Sequence, residues 1–269
     1  MKRARGAAVL FNVASLAPTP YVQAWSWQRA ILSARTSAPT DAARAAVPDV
    51  VIALQHAPVY TLGRAASVSD LRFGGGGACV DEAADLPAGP GGADVIRVDR
   101  GGKITYHGPG QLVVYPLLDL RRHREDLHWY VRSIEDVLVR VLAREASLHA
   151  FARTGAPGVW VGAPGRERKI AAVGMNASKW ATAHGFALNV APNLAAFDAI
   201  VPCGIDDRQV TSIAAELGAS AQPPSFDAIT RAVLTEFEHV FDVDLDATGG
   251  GTIENFCERL EGRGISDAA

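Results

Sequence analysis

GVWVGAPGRERKIAAVGMNASKWATAHGFALNV, residues 158–190, decides the architecture. It holds three apolar runs, GVWVG (158–162), KIAAVGM (169–175) and GFALNV (185–190), parted by glycine, proline and polar residues. A parallel pair of strands needs a crossover of about a dozen residues or more, so these closely spaced runs are expected to pair as hairpins. Working outward, AAVLFN near the start, DVVIAL (49–54), DVIRV (94–98) and QLVVYPL (111–117) read as further strands. EDLHWYVRSIEDVLVRVLAREA (125–146) and FDAITRAVLTEFEHVF (226–241) carry apolar residues three and four apart, the repeat of a helix with one buried face. PYVQAWSWQRAILSAR (20–35) reads as another helix, with Val22, Trp25, Ala30 and Ile31 near helical spacing. The class predicted is α+β, a mixed, largely antiparallel sheet flanked by helices.

With 269 residues and 48% hydrophobic content the chain can bury a sizeable core. No window approaches the run of about eighteen apolar residues that a membrane helix requires. A net charge of -3 argues against general nucleic-acid binding. No internal repeat or linker is visible, so residues 9–243 are read as one catalytic domain. FGGGGACVDEAADLPAGPGGAD (73–94) has too much glycine, proline and acid to pack and reads as a surface insertion. ATGGG at 247–251 loosens the C-terminal stretch 244–269, expected to be a flexible tail. The first forty residues hold basic side chains but no acid, the composition of an organellar transit peptide. The strand and helix within them favour the folded reading, with residues 1–8 a short basic start compatible with a targeting remnant.

Cys79, Cys203 and Cys257 are odd in number and lack CxxC spacing, which speaks against disulfides and a structural zinc site. Cys203 lies in FDAIVPCGIDDRQVTSI, where Pro202 and Gly204 place the thiol in a sharp turn. A thiol is nucleophilic as thiolate, and a neighbouring cation favours that form; a small buried core residue is the alternative reading. Cys79 and Cys257 are read as structural. The chain has four lysines against twenty-two arginines, which makes each lysine informative. Lys169 opens the apolar run KIAAVG, and a lysine at a strand end can both stabilise a thiolate and exchange a proton, or else simply extend its head to solvent. His56, His107 and His184 sit beside glycine or turn-forming proline and are the site candidates among seven histidines. None has metal-ligand spacing, and no metal is expected.

RGGKITYHGPGQLVVYPLLDL (100–120), RKIAAVG, HGFALNV, FDAIVPCGI and VTSI, in that order, resemble the lipoyl(octanoyl) transferases. The resemblance implies the fold shared with biotin and lipoate protein ligases. It implies that Cys203 is the acyl-thioester nucleophile and that Lys169 lowers its pKa and transfers protons. It also implies substrate contact by Arg100, Gly101, Gly102, Lys103, Ile104, Thr105, Tyr106 and His107, by Ala172, Val173 and Gly174, and by Gly185, Phe186 and Ala187. His56, Gly108, Gly110, Gln111 and His184 are supporting candidates. Glycines 101, 102, 108 and 110 would let backbone approach a thin acyl chain and lend amides to a thioester oxygen, although the same composition also makes tight turns.

The activity implied is transfer of an octanoyl group from octanoyl-acyl carrier protein to a lysine of lipoyl domains, those of 2-oxoacid dehydrogenase E2 subunits and glycine cleavage H protein. No cofactor is expected: thioester-to-amide transfer is downhill, and no Walker-type motif is present. A monomer is expected, in the cytoplasm if bacterial and in the mitochondrial matrix or plastid if eukaryotic. Arg64, Arg100, Arg121, Arg122, Arg124, Arg166 and Arg168 are expected to steer an acidic carrier. The rival readings are an ATP-dependent lipoate or biotin ligase and a catalytically silent binder of acylated carrier domains.

Overall fold

A computed structural model describes residues 5–73, 86–201, 210–218, 222–249 and 251–266. Along the chain run β1 (Gly6–Asn12), α1 (Tyr21–Thr36), α2 (Asp41–Ala45), β2 (Asp49–Leu54), β3 (Val59–Leu62), β4 (Asp94–Arg97), β5 (Ile104–His107) and β6 (Gln111–Leu117). There follow α3 (Leu127–Ala146), β7 (Ala150–Ala152), β8 (Gly158–Val161), β9 (Arg168–Ser178), β10 (Ala181–Asn189), α4 (Ile213–Leu217), α5 (Phe226–Phe241), β11 (Val243–Asp246) and α6 (Ile253–Ser266).

Eight strands form one sheet in the order β11-β1-β2-β6-β10-β9-β8-β7. β1 is parallel to β2 and β11, and every other pairing in this sheet is antiparallel. The three runs of residues 158–190 are thus the hairpin succession β8, β9 and β10. Alternation along the strands sends Leu112, Val114, Phe186 and Leu188 to one face, under Ile134, Leu138 and Val141 of α3 and Val233 and Phe237 of α5. Val113, Tyr115, Ala183 and Ala187 go to the other face, under Trp27 and Ile31 of α1 and Phe256 and Leu260 of α6.

The sequence reading expected one sheet, and the structure has two. β4, β3 and β5 form a separate three-stranded sheet with its own core of Tyr60, Leu62, Ile104, Tyr106 and Phe197. DVIRV therefore belongs to this second sheet, while β3 and β5 are four residues each, too short to show a period in sequence. The chain leaves the large sheet after Leu54 and returns through His107-Gly-Pro-Gly-Gln111. Gly110 makes that corner, with φ +84° and no room for a Cβ against the carbonyl of Ala191.

Two other expectations are corrected. In α1 the buried residues are Tyr21, Ala24, Trp27, Gln28, Ile31 and Arg35, whereas Val22 is 58% exposed, because the helix meets both sheets and rotates its face toward Tyr21. The stretch 244–269, read as a flexible tail, supplies β11 beside β1 and the helix α6 beside α1. Phe256 meets Phe11 at 5.4 Å between ring centroids.

At one end of the sheet sit two buried carboxylates. Asp49 pairs with Arg35 at 3.4 Å and with His123 at 2.8 Å, and Asp119 takes both Nε and Nη2 of Arg44 at 2.7 and 2.9 Å. These bonds tie α1 and α2 to the start of β2 and the end of β6, and such pairs are costly to break singly.

Because α6 closes one side of the core, Phe256→Ala should lower unfolding free energy by about 3 kcal/mol, the usual cost of truncating a buried aromatic. A urea melt with an unchanged midpoint would show that the C-terminal stretch is the loose tail its composition suggests.

Candidate functional site

A groove floor of small residues lies on the sheet face that carries α1 and α6. Ala172 and Gly174 of β9 lie opposite Ala187 and Gly185 of β10. Gly174 is covered closely: a Cβ there would stand 3.2 Å from Cδ of Arg100. Between these positions Val173 and Phe186 face the core under α3 and α5, so only their backbone borders the groove. At one end of the floor β8 pairs Val159 with Ala171 and then Trp160 with Lys169, which leaves Ile170 as the extra residue of a bulge. Ile170 stays fully buried in the core, and Lys169 is returned to the groove face. Its Nζ lies 4.7 Å from the centroid of the Trp160 ring and 3.2 Å from the carbonyl of Pro157.

The stretch 100–107 forms the roof. Arg100 is 8% exposed and donates through Nη2 to the carbonyl and hydroxyl of Thr61 at 2.7 and 2.8 Å, and through Nη1 to the Gly101 carbonyl at 3.0 Å. Lys103 and Thr105 are half-buried, while Ile104 and Tyr106 are buried in the core of the small sheet. The amide of Gly101 donates to the Met175 carbonyl at 2.9 Å and that of Gly110 to Oε1 of Gln55 at 2.7 Å. Those two amides are therefore committed within the fold and cannot also serve a thioester oxygen. Gly102, at φ +86°, and Gly110 are turn glycines; the close approach in the groove is at Gly174.

Three buried histidines and two tyrosines gather beside the roof. His56 is bonded by Nδ1 to the Thr19 carbonyl at 2.9 Å and by Nε2 to the Tyr115 hydroxyl at 2.6 Å. His107 is bonded by Nδ1 to Oε1 of Gln111 at 2.7 Å and stacks on Tyr21. Burial pushes His56 down to about 4, and burial with His56 nearby pushes His107 down to about 3, so both rings are neutral at pH 7. His184, at φ +60°, is bonded by Nε2 to Oδ1 of Asp99 at 2.8 Å, and this bond first, with Asn176 also donating, holds Asp99 down to about 2. Gly108 precedes the Pro109–Gly110 corner and lies against Tyr106.

Cys203 and Cys79 lie outside the described residues. Of the described chain on either side of 202–209, Ile200 bridges Leu71 and Val210 bridges Lys169 in parallel. Thr211 donates its amide to the Lys169 carbonyl at 2.9 Å. Cys257 is 6% exposed in the α6 contact, and burial raises its thiol to about 12, which makes it inert, as its sequence context suggests.

The arginines divide. Arg168 is clamped on Glu216 by two bonds of 2.8 and 2.7 Å, Arg121 on Asp119 and Asp41, and Arg122 on Asp49 and the Val47 carbonyl. Arg124 pairs with Asp126. Arg121, Arg122 and Arg124 make these pairs while remaining exposed at the surface, as Arg64 and Arg166 also are. A separate open depression of about 400 Å³, lined by Ser15, Gln55, Gly110, Phe226 and Asp227, shares only Gly110 with the candidate residues.

Asn189, Thr211, Asp99, Thr61, Tyr21 and Tyr115 join the site without having been singled out in sequence. Asn189 lies in HGFALNV and Thr211 in VTSI, two of the motifs themselves, and an uncharged polar residue ending an apolar strand was the available signal.

Residues 20–238 match the family model described as lipoyl protein ligase A/B catalytic domain. The chain is 40% identical over 233 residues to octanoyltransferase LIP2p2, chloroplastic, of Arabidopsis thaliana, covering 84% of this chain and 76% of that protein. It is 42% identical over 225 residues to octanoyltransferase of Synechococcus elongatus, covering 84% of both. Among solved structures, a bipartite lipoate protein ligase of Thermoplasma acidophilum superposes with TM-score 0.65 at 18% identity, covering 99% of this chain and 93% of that one. Lipoate-protein ligase A bound with ATP gives TM-score 0.63 at 17% identity, covering 98% and 95%. At that identity the structural likeness speaks for the fold alone.

His56 and His107 have folded pKa values far below the unfolded value near 6.5. Between these values the unfolded chain binds more protons, so stability falls as pH drops from 6.5 toward 4. Asp99 adds a loss only below its unfolded value near 3.8. Urea midpoints measured from pH 7.5 to 4 should decline through that upper window; a midpoint flat down to pH 4 would contradict neutral buried imidazoles.

Proposed function

This chain belongs to the lipoyl protein ligase A/B catalytic family, and from that membership we infer an acyltransferase that moves an octanoyl group. The carrying observation is the identity of 40–42% with octanoyltransferases over 84% of the chain. The geometry supports it: a side-chain-poor floor of Ala172, Gly174, Gly185 and Ala187 suits a thin alkyl chain, and Lys169 stands at its end.

In the proposed reaction the donor is octanoyl-acyl carrier protein and the acceptor a lysine of a lipoyl domain. Cys203 thiolate, paired with the Lys169 ammonium, attacks the thioester carbon. A new thioester forms on Cys203, the carrier thiolate leaves, and it takes a proton from Lys169. The neutral acceptor amine then attacks the acyl-enzyme, its proton passes to Lys169, the amide forms, and Cys203 departs as thiolate. The thiolate–ammonium pair is restored, and no nucleotide or metal enters the balance. The Trp160 ring and the Pro157 carbonyl hold the Lys169 head in place through both halves. The relatives that carry this name include a chloroplastic plant protein and cyanobacterial proteins, and we place this enzyme in a bacterial cytoplasm or an organelle matrix.

Mass spectrometry after incubation with octanoyl carrier protein, without ATP, should find an octanoyl adduct on Cys203 that Cys203→Ser lacks. A requirement for ATP would turn the reading to a ligase. Lys169→Arg keeps a positive charge but releases no proton at neutral pH, so transfer from preformed acyl-enzyme to the acceptor should fall by about a hundredfold or more. Single-turnover transfer at the wild-type rate would reduce Lys169 to a fixed charge.

A further inference from the structure

The bonds around His107 have a fixed polarity that begins at a backbone carbonyl. Thr211 is held twice: its amide donates to the Lys169 carbonyl, and its hydroxyl donates at 2.6 Å to Glu216, which Arg168 grips in turn. Its carbonyl can only accept, so Asn189 must present Nδ2 to it, at 2.9 Å. Asn189 Oδ1 is then the acceptor for Nε2 of Gln111 at 2.9 Å. The same Nε2 also donates to the Tyr106 carbonyl at 3.2 Å, a second acceptor-only group that demands the same amide orientation. Gln111 is left with Oε1 toward His107, and only a protonated Nδ1 can make the 2.7 Å bond. The neutral ring therefore carries its proton on Nδ1 and a lone pair on Nε2, which has no hydrogen-bond partner among the described residues.

Asn189 lies on the groove face of β10, one strand over from the Lys169 end of β9, so the chain of bonds leads from the chemical end of the groove to His107. A fixed lone pair repels the oxygen of a thioester or carboxylate and accepts only from a donor. Resting on the octanoyltransfer reading, we propose that His107 is a positioning residue whose Nε2 accepts a hydrogen bond from an N–H group of a substrate, with its tautomer dictated by the Thr211 carbonyl through Asn189 and Gln111. Two substrates of the reaction bear such a group: the acceptor amine and the amides of the carrier's pantetheine arm. Free octanoate bears none.

Long-range 1H–15N spectra of the histidine-labelled full chain read the tautomer directly, independently of catalysis. His107 should show a protonated Nδ1 and a bare Nε2 at pH 7. Addition of butylamine or of S-octyl pantetheine should move the Nε2 signal upfield, and whichever does so names the source; octanoate should not. A proton on Nε2, no shift with either N–H probe, or a shift with octanoate alone would overturn the proposal while leaving the octanoyltransfer reading standing. In single-turnover assays His107→Asn, which keeps a group at the Nδ1 position only, should slow the half-reaction of that source about tenfold, the worth of one hydrogen bond. His107→Gln, which restores an acceptor at the Nε2 position, should recover most of the loss. Equal loss in a folded His107→Gln would also overturn it.

Discussion

The extra residue at Ile170 is the constraint on which the site depends. Strand side chains alternate between faces, so a regular β9 pairing throughout with β8 would send Lys169 and Ala171 to the same face, into the core under α3 and α5. The bulge breaks the alternation once. Ile170 and Ala171 both remain in that core, and Lys169 emerges beside Trp160 on the groove face. Farther along β9 the regular pairing with β10 resumes, which sets Ala172 and Gly174 on the groove side and Val173 against the helices. One local irregularity thus lets a single strand serve core, floor and chemistry.

The second sheet gives the groove its roof. Because the chain passes from β2 to β3 and back from β5 to β6, the residues at both crossings, His56 and His107, are brought 5.6 Å apart between ring centroids. Both rings are buried, and each is held by a fixed acceptor: the Thr19 carbonyl for His56 and the Gln111 amide oxygen for His107. Arg100 fastens the roof to β3 through Thr61 and covers Gly174 in the floor. Losing one partner of a buried bond of this kind is costly, so these bonds favour one relative placement of the two sheets.

A small set of buried charges works within the fold. Arg35, Arg44, Arg121 and Arg122 neutralise Asp49 and Asp119 at one end, and Arg168 with Glu216 anchors Thr211 at the other. Arg64 is exposed beside β9, where it reaches Asn176 at 3.0 Å.

The sequence by itself determined the elements whose periodicity is long or whose apolar runs are sharply bounded. DVVIAL, QLVVYPL and the helix 226–241 have the boundaries read from it, and the spacing within 158–190 was enough to require hairpins. The motifs also identified Lys169 and the stretch from Arg100 to His107 as residues to examine. Tertiary structure decided the rest, because the deciding forces join residues remote in sequence. Gln111 and Asn189, whose bond sets the His107 tautomer, are 78 positions apart, and Arg168 and Glu216 are 48 apart. Four-residue strands carry too few side chains to display a period, so the second sheet stayed hidden. The last helix was obscured by the glycines before it, although Ile253, Phe256, Cys257 and Leu260 repeat at three- and four-residue spacing. Local pattern states which side chains need burial, but only the folded chain states which partners bury them.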